Sequence, residues 1–221
     1  DLNGDGKLDL VAPDTFTQMV KVLYNQGDGT FAPAVSLAPG VDPGGVLAAD
    51  LNGDGTVDLA VSAWATYETS VLLGQGNGMF GAPVVYAGGT APLAAADLNG
   101  DGALDLVRND QSQVSVSFNN GDGTFAADIK YDVRGAPTSI FAADLDGDGK
   151  LDLVATSEFD DKVSVLYNHG DGTFAPSVDY PAGRTASSVF GADLNGDGRV
   201  DLAVADLDVQ RVSVLLNECL P

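Results

Sequence analysis

The string DLNGDGKLD occupies residues 1–9, and four variants follow it: DLNGDGTVD from 50, DLNGDGALD from 97, DLDGDGKLD from 144 and DLNGDGRVD from 193. Each carries Asp or Asn at its first, third, fifth and ninth positions. Hard divalent cations take oxygen ligands, and calcium accepts about six to eight of them at about 2.3–2.6 Å. The four side chains and the carbonyl of position 7 can converge on such an ion. Glycine at position 6 permits the reversal that brings them together.

Five sites follow. The first is Asp1, Asn3, Asp5, the Lys7 carbonyl and Asp9. The second is Asp50, Asn52, Asp54, the Thr56 carbonyl and Asp58. The third is Asp97, Asn99, Asp101, the Ala103 carbonyl and Asp105. The fourth is Asp144, Asp146, Asp148, the Lys150 carbonyl and Asp152. The fifth is Asp193, Asn195, Asp197, the Arg199 carbonyl and Asp201. An EF-hand would need a bidentate Glu at position 12, where this chain has Ala12, Val61, Arg108, Ala155 and Val204. The closing acid is at position 9 instead. Without a cation, three or four carboxylates per loop would repel one another, so a string of metal-free turns is disfavoured. The expected cofactor is calcium, up to five ions. The first site is expected to be the weakest, because a free α-amino group on Asp1 would repel the cation. On that ranking Asp5→Ala costs less stability than Asp148→Ala.

The nonamers hold 16 of the 32 acidic residues in a chain of 221, whose net charge is −22. That surface repels phosphate backbones, so nucleic acid is not an expected partner. The apolar runs are strand-length, so no membrane insertion is expected. The single cysteine, Cys219, has no partner for an internal disulfide.

The nonamers recur every 47 to 49 residues, the period of a propeller or solenoid. A second motif keeps pace with them: NQGDGTF at 25–31, GQGNGMF at 74–80, NNGDGTF at 119–125 and NHGDGTF at 168–174. Four strand-like pieces make up each unit. Strand A precedes the nonamer (VLAAD, LAAAD, IFAAD, VFGAD) and strand B leaves it (LDLVA, VDLAV). Strand C alternates (VKVLYN, VSVLYN), and strand D follows GTF (PAVSLA, SVDYPA). Short runs rich in Val and Tyr between Gly/Asp/Asn turns favour β over α.

The expected fold is all-β: a β-propeller of four-stranded antiparallel blades, forming one domain over 1–221 from repeats 1–49, 50–96, 97–143, 144–192 and 193–221. Leucines at motif positions 2 and 10 and the phenylalanines Phe31, Phe80, Phe125 and Phe174 are expected between blades. The first repeat lacks strand A and the last lacks strand D. That leaves 18 strands, arranged 3, 4, 4, 4, 3. Five blades with an imperfect seam is the leading reading. A fragment of a larger propeller, or strand completion by a neighbouring chain, are the alternatives.

The combination DxNGDGxxDLxV, strand C, then NxGDGTF resembles the FG-GAP/VCBS repeat, the calcium-bearing blade of integrin-α-like propellers. The strings behind the name are only partly present: GAP at 81–83 and 135–137, FG at 80–81 and 190–191. The match is closer to the VCBS variant. The resemblance implies propeller blades with calcium in the A–B hairpin. It also implies extracellular adhesion, lectin-like or enzyme-appended roles.

Up-and-down strands put the calcium loops and the GDGTF turns at one face and the B–C and D–A loops at the other. The second face varies between repeats. It offers Phe16, Trp64, Tyr67 and Phe159 from B–C loops and Arg134 and Arg184 from D–A loops. Aromatics beside arginines suit a glycan or an extracellular protein ligand. The expected protein is therefore a recognition module, secreted, at the cell surface or in the periplasm. The alternative is a structural or enzyme-accessory propeller without a ligand. Catalysis is not expected. The only histidine, His169, stands where sister turns have Gln26, Gln75 and Asn120, and no nucleophile or zinc motif occurs. A hydrolase would need a carboxylate pair from Asp160, Asp161, Asp206 or Asp208.

Overall fold

In the computed structural model of the chain the described residues are 1–157, 161–208 and 210–218. Phe159, Asp160 and Cys219 of the sequence reading lie outside them. Among the described residues eighteen strands form five antiparallel sheets, each with its strands in chain order. The first sheet is β1 (Leu10–Asp14), β2 (Met19–Leu23) and β3 (Val35–Leu37). The second is β4 (Pro43–Ala49), β5 (Asp58–Ala63), β6 (Glu68–Leu72) and β7 (Val84–Ala87). The third is β8 (Thr90–Ala96), β9 (Asp105–Asp110), β10 (Gln113–Ser117) and β11 (Ile129–Asp132). The fourth is β12 (Pro137–Ala143), β13 (Asp152–Ser157), β14 (Lys162–Leu166) and β15 (Val178–Pro181). The fifth is β16 (Ala186–Ala192), β17 (Asp201–Asp206) and β18 (Arg211–Leu215). Among the described residues no helix is long and apolar enough to cross a membrane.

The chain divides into two compact units. One holds Asp1–Ala95, Ala103–Leu106 and Ser117–Asp128; the other holds Ala96–Gly102, Val107–Val116 and Ile129–Pro221. Period-two alternation gives each sheet two apolar faces. In the first unit Leu2, Val20 and Val22 of the first repeat pack on Leu59, Val61 and Leu72 of the second. Leu51, Ala60 and Val71 of the second pack on Leu106 and Phe125 of the third. In the second unit Val154, Val163 and Val165 pack on Ala186, Val189, Leu202 and Val204. Aromatic pairs close the outer edge: Tyr86 meets Phe125 at 5.6 Å and Tyr131 meets Phe174 at 5.1 Å, both edge-on.

Two expected contacts are missing. Leu10 is 51% exposed and Phe31 38% exposed. Both belong to the first repeat. Phe80, Phe125 and Phe174 pack as expected.

A second device joins consecutive repeats, an asparagine at the end of strand C. Asn119 Nδ2 donates to the Leu104 carbonyl of its own repeat at 2.9 Å and to the Leu51 carbonyl of the repeat before at 2.6 Å. Asn168 does the same with Leu151 at 2.9 Å and Leu98 at 2.8 Å. Asn217 does so with Val200 at 3.3 Å and Leu145 at 2.6 Å. In the second repeat the position is Gly74, and a Cβ there would lie 2.2 Å from the Val57 carbonyl oxygen. The Leu2 carbonyl instead accepts from Gly78 N at 3.1 Å, and Tyr24 Oη donates to the Gly78 carbonyl at 2.6 Å. Among the described residues the Asn25 amide donates to its own Leu8 carbonyl alone, at 2.9 Å.

Asn168→Ala removes both bonds and leaves buried carbonyls without a donor, an expected cost of about 2–3 kcal/mol. Asn25→Ala is expected to cost about 1 kcal/mol. Both asparagines also accept from a turn glycine, Gly170 N at 2.7 Å and Gly27 N at 2.8 Å, so the difference isolates the joint between repeats. Urea midpoints for the two variants measure it, and equal losses would contradict the role assigned to Asn168.

Candidate metal centre

Each nonamer is folded by its own acids. The first-position Asp accepts from two glycine N–H groups of its loop. For Asp144 these are Gly147 at 2.7 Å and Gly149 at 2.9 Å. For Asp50 they are Gly53 and Gly55, both at 2.8 Å. Asp1, Asp97 and Asp193 repeat the pattern. The third-position oxygen accepts from the N–H of position 5 in all five loops. In the first, second, fourth and fifth loops the fifth-position carboxylate accepts from the N–H of position 7.

The ninth-position Asp is the pivot. Asp152 accepts from Leu145 N at 3.0 Å and from Asn168 N at 2.9 Å. Asp58 accepts from Leu51 N at 2.8 Å and Gly74 N at 2.6 Å. Asp201 accepts from Leu194 N and Asn217 N in the same way, and Asp105 from Asn119 N. All four are buried, whereas Asp9 is half-buried. One carboxylate thus ties the loop, its strand B and the end of strand C together.

In the fourth loop, oxygens of Asp144, Asp146 and Asp152 all lie within 4.8 Å of one another. Oxygens on a sphere of about 2.4 Å radius around calcium are at most about 4.8 Å apart, so this set fits that ion. Asp148 is not in the cluster. Its Oδ2 is 2.8 Å from Lys150 Nζ, which holds its carboxyl below the usual carboxylate range. Burial, with the neighbouring carboxylates adding to it, pushes Asp152 up, and the same causes push Asp58 up. At the loop mouth the Gly198 and Gly196 N–H groups hold Asp193 down. The other four loops share the first- and third-position bonds but carry Asn in place of Asp146.

The loops at the opposite end of the sheets are more varied. In the first unit Phe16 is 95% exposed and its N–H is held by Asp14 Oδ1 at 3.1 Å. Trp64 and Tyr67 share the turn from β5 to β6, both exposed. The Trp64 ring lies over Gly44, where a Cβ would meet it at 1.8 Å. Tyr67 has φ 54°, and Gln18, Gln111 and Gln210 at the same turn position are also left-handed. For a side chain with Cβ that conformation costs about 1–2 kcal/mol. In the second unit Arg134 is not free: its Nε is 2.8 Å from Asp179 Oδ2. Arg184 is exposed. His169 is an exposed turn residue whose N–H donates to the Thr173 carbonyl at 2.9 Å, as Gln26 does to Thr30. Asp206 is buried and accepts from Ser213 Oγ at 2.6 Å.

Sequence reasoning missed a cavity of about 680 Å3 in the second unit, lined by Tyr167, Tyr180, Leu215, Asp146 and Arg199 among others. Tyr167 and Tyr180 hydrogen-bond through their hydroxyls at 2.9 Å, and burial pushes the Tyr167 phenol up. Tyr180 is the counterpart of Tyr86 and Tyr131, each of which meets the phenylalanine of the next GDGTF turn. The fifth repeat carries no such turn. That mismatch was the available signal.

The FG-GAP-like repeat family matches residues 1–61, 97–155 and 144–204. Among curated proteins, none matches the chain. A lectin from Agrocybe aegerita, solved for its specific recognition of non-reducing terminal N-acetylglucosamine, is 33% identical over 81% of this chain and 50% of its own, with a TM-score of 0.59. The V. cholerae biofilm matrix protein Bap1 is 22% identical over 98% of this chain and 36% of its own, at 0.59. BBS1N, solved in complex with ARL6DN, is 10% identical over 95% of this chain and 60% of its own, at 0.63. These last two show likeness of fold alone. The chain spans half the length of the lectin it matches.

Proposed function

Because the chain belongs to the FG-GAP-like repeat family, we propose that it is a calcium-braced propeller module that recognises a glycan or an extracellular protein. The observation that carries the calcium reading is the convergence of Asp144, Asp146 and Asp152 on a sphere of the right size. When bound, calcium would neutralise the carboxylates that burial and mutual repulsion now strain. The other four loops repeat the framework with a carboxamide oxygen at position 3. The half-buried Asp9 makes the first site the weakest. Four-stranded sheets with faces packed in sequence are the parts of propeller blades, and five blades is the arrangement we favour. Calcium sites of extracellular modules have Kd of about 10⁻⁴–10⁻³ M, which suits a secreted or surface protein.

The recognition reading rests on the 33% identity with a lectin and on exposed Phe16, Trp64 and Tyr67 at the variable end of the sheets. The role is non-enzymatic. The matched structures are a lectin, a biofilm matrix protein and BBS1N in a protein complex. A glycan panel in millimolar calcium, led by glycans with terminal N-acetylglucosamine, is the first test. Trp64→Ala is expected to abolish binding with the melt intact. A second reading places the ligand in the cavity beside Tyr167 and Tyr180; there Tyr180→Ala abolishes binding and Trp64→Ala does not. Absence of binding to any glycan or extracellular protein tested would overturn both.

A further inference from the structure

Asn3, Asn52, Asn77, Asn99, Asn120 and Asn195 are each followed by glycine. A glycine has no side chain to obstruct the approach of its nitrogen to the asparagine before it. Attack of that nitrogen on the asparagine Cγ forms an N–Cγ bond and breaks the Cγ–Nδ2 bond. The amide leaves as ammonia and takes the proton of the glycine nitrogen. Water then opens the five-membered imide. Opening at Cγ leaves aspartate. Opening at the backbone carbonyl leaves isoaspartate, whose main chain runs through the side chain and is one carbon longer.

The structure separates these asparagines by what holds their reacting groups. Asn52, Asn99 and Asn195 donate from Nδ2 to the fifth-position carboxylate at 2.9, 2.8 and 3.1 Å. In the same loops the first-position carboxylate holds the glycine N–H at 2.8, 2.7 and 2.7 Å. Asn120 Nδ2 donates to Thr124 Oγ1 and Gly121 N to Asn119 Oδ1, both at 2.9 Å. Among the described residues Asn3 Nδ2 has no partner, but the Asp1 carboxylate holds Gly4 N at 2.7 Å. Asn77 is exposed, its Nδ2 also has no partner among the described residues, and Gly78 N donates to the neutral Leu2 carbonyl at 3.1 Å. Bonds to a carboxylate are about twice as strong as bonds between neutral groups. Met79 N donates to Asn77 Oδ1 at 3.0 Å, the oxygen that gains negative charge as Gly78 N attacks.

We infer that Asn77 is a self-modification site, and that the joint between the first and second repeats gates its conversion. Gly78 N must leave the Leu2 carbonyl before it attacks, and the bond from Tyr24 Oη to the Gly78 carbonyl at 2.6 Å opposes that local opening. The two products differ in effect. Sister turns carry Asp28, Asp122 and Asp171 at this position, so the aspartate product keeps the turn. The isoaspartate product displaces Gly78 from Leu2 and Tyr24 and breaks the joint.

Peptide mass spectrometry of the chain, aged in calcium at mildly alkaline pH, tests this. Asn77 is expected to convert about five- to thirtyfold faster than Asn52, Asn99 and Asn195. Tyr24→Phe is expected to speed Asn77 by about fivefold further. Unchanged rates at Asn99 and Asn195 show that this variant is folded. The isoaspartyl fraction is expected to melt below the Asn77→Asp variant, which carries the same charge on an ordinary main chain. Conversion led by any other asparagine, or none at Asn77, would overturn the site. A Tyr24→Phe rate equal to that of the parent chain, or an isoaspartyl fraction that melts with Asn77→Asp, would overturn its link to the joint.

Discussion

Stripping calcium with EDTA is expected to lower the melting temperature by about 20 °C. Free calcium at about ten times Kd stabilises each site that exists only in the native state by about 1.4 kcal/mol, so five sites supply about 7 kcal/mol. For a domain of this size each kcal/mol moves the melt by about 2–4 °C. Chelation also leaves Asp144, Asp146 and Asp152 facing one another. Readding calcium restores the melt, whereas equimolar magnesium does not, since its octahedral shell at about 2.0–2.1 Å suits a smaller cage. Calorimetric scans in calcium, EDTA and magnesium decide the matter, and an EDTA melt that matches the calcium melt would remove metal from the account of this fold.

Asp152→Ala is expected to be the most damaging single change in the fourth loop, at about 2–6 kcal/mol even with calcium present. It leaves the N–H groups of Leu145 and Asn168 without an acceptor in a buried place, and each such group costs about 1–3 kcal/mol. Asp148→Ala removes an exposed carboxylate held by Lys150, a surface pair of the kind that contributes little, and is expected to leave the denaturation midpoint nearly unchanged. Denaturant titrations of the two variants compare them; equal costs would refute the pivot role of position 9.

The same residue sets a pH dependence. Burial raises Asp152 in the calcium-free chain, so its proton favours the native state. That contribution is full below the ordinary carboxylate pKa and is lost as pH rises through the raised value. Calcium needs the ionised form. Below the raised value its affinity for the fourth site therefore falls by about tenfold per pH unit for the proton displaced. Isothermal titration at successively lower pH reads this directly, with Asp152→Asn as the variant in which the dependence is weakened.

Much of this was legible from the spacing of acids. Strands β5, β9, β13 and β17 start on the ninth-position aspartates, and the arrangement 3, 4, 4, 4, 3 follows the motif count. What the motif could not reveal depends on neighbours. Leu10 and Leu59 are the same letter at the same position, yet one is exposed and the other fully buried. Asp148 and Asp144 are the same letter in the motif, yet Asp148 bonds the side chain of Lys150 while Asp144 accepts from two loop glycines. Asn168 reads as a turn residue, and its main partner lies 70 positions earlier. Arg108 is 1% exposed in the middle of a strand, which its place in the repeat did not signal. Periodicity reports what each unit contains, while burial and long-range bonds report what it is set against.

The glycine in the second repeat gives the chain a fixed order. Gly74 cannot carry the amide that Asn119, Asn168 and Asn217 use to hold the repeat before them, because the Val57 carbonyl fills the space. The joint it makes instead needs Tyr24 in the first repeat to meet Gly78. The second repeat is thus keyed to the first, while the later repeats share one kind of joint. Exchanging the second repeat with the fourth would keep every acid of the periodic pattern in place. It would set a glycine against the Leu98 carbonyl, and the shuffled chain would have lost a joint that no count of motifs records.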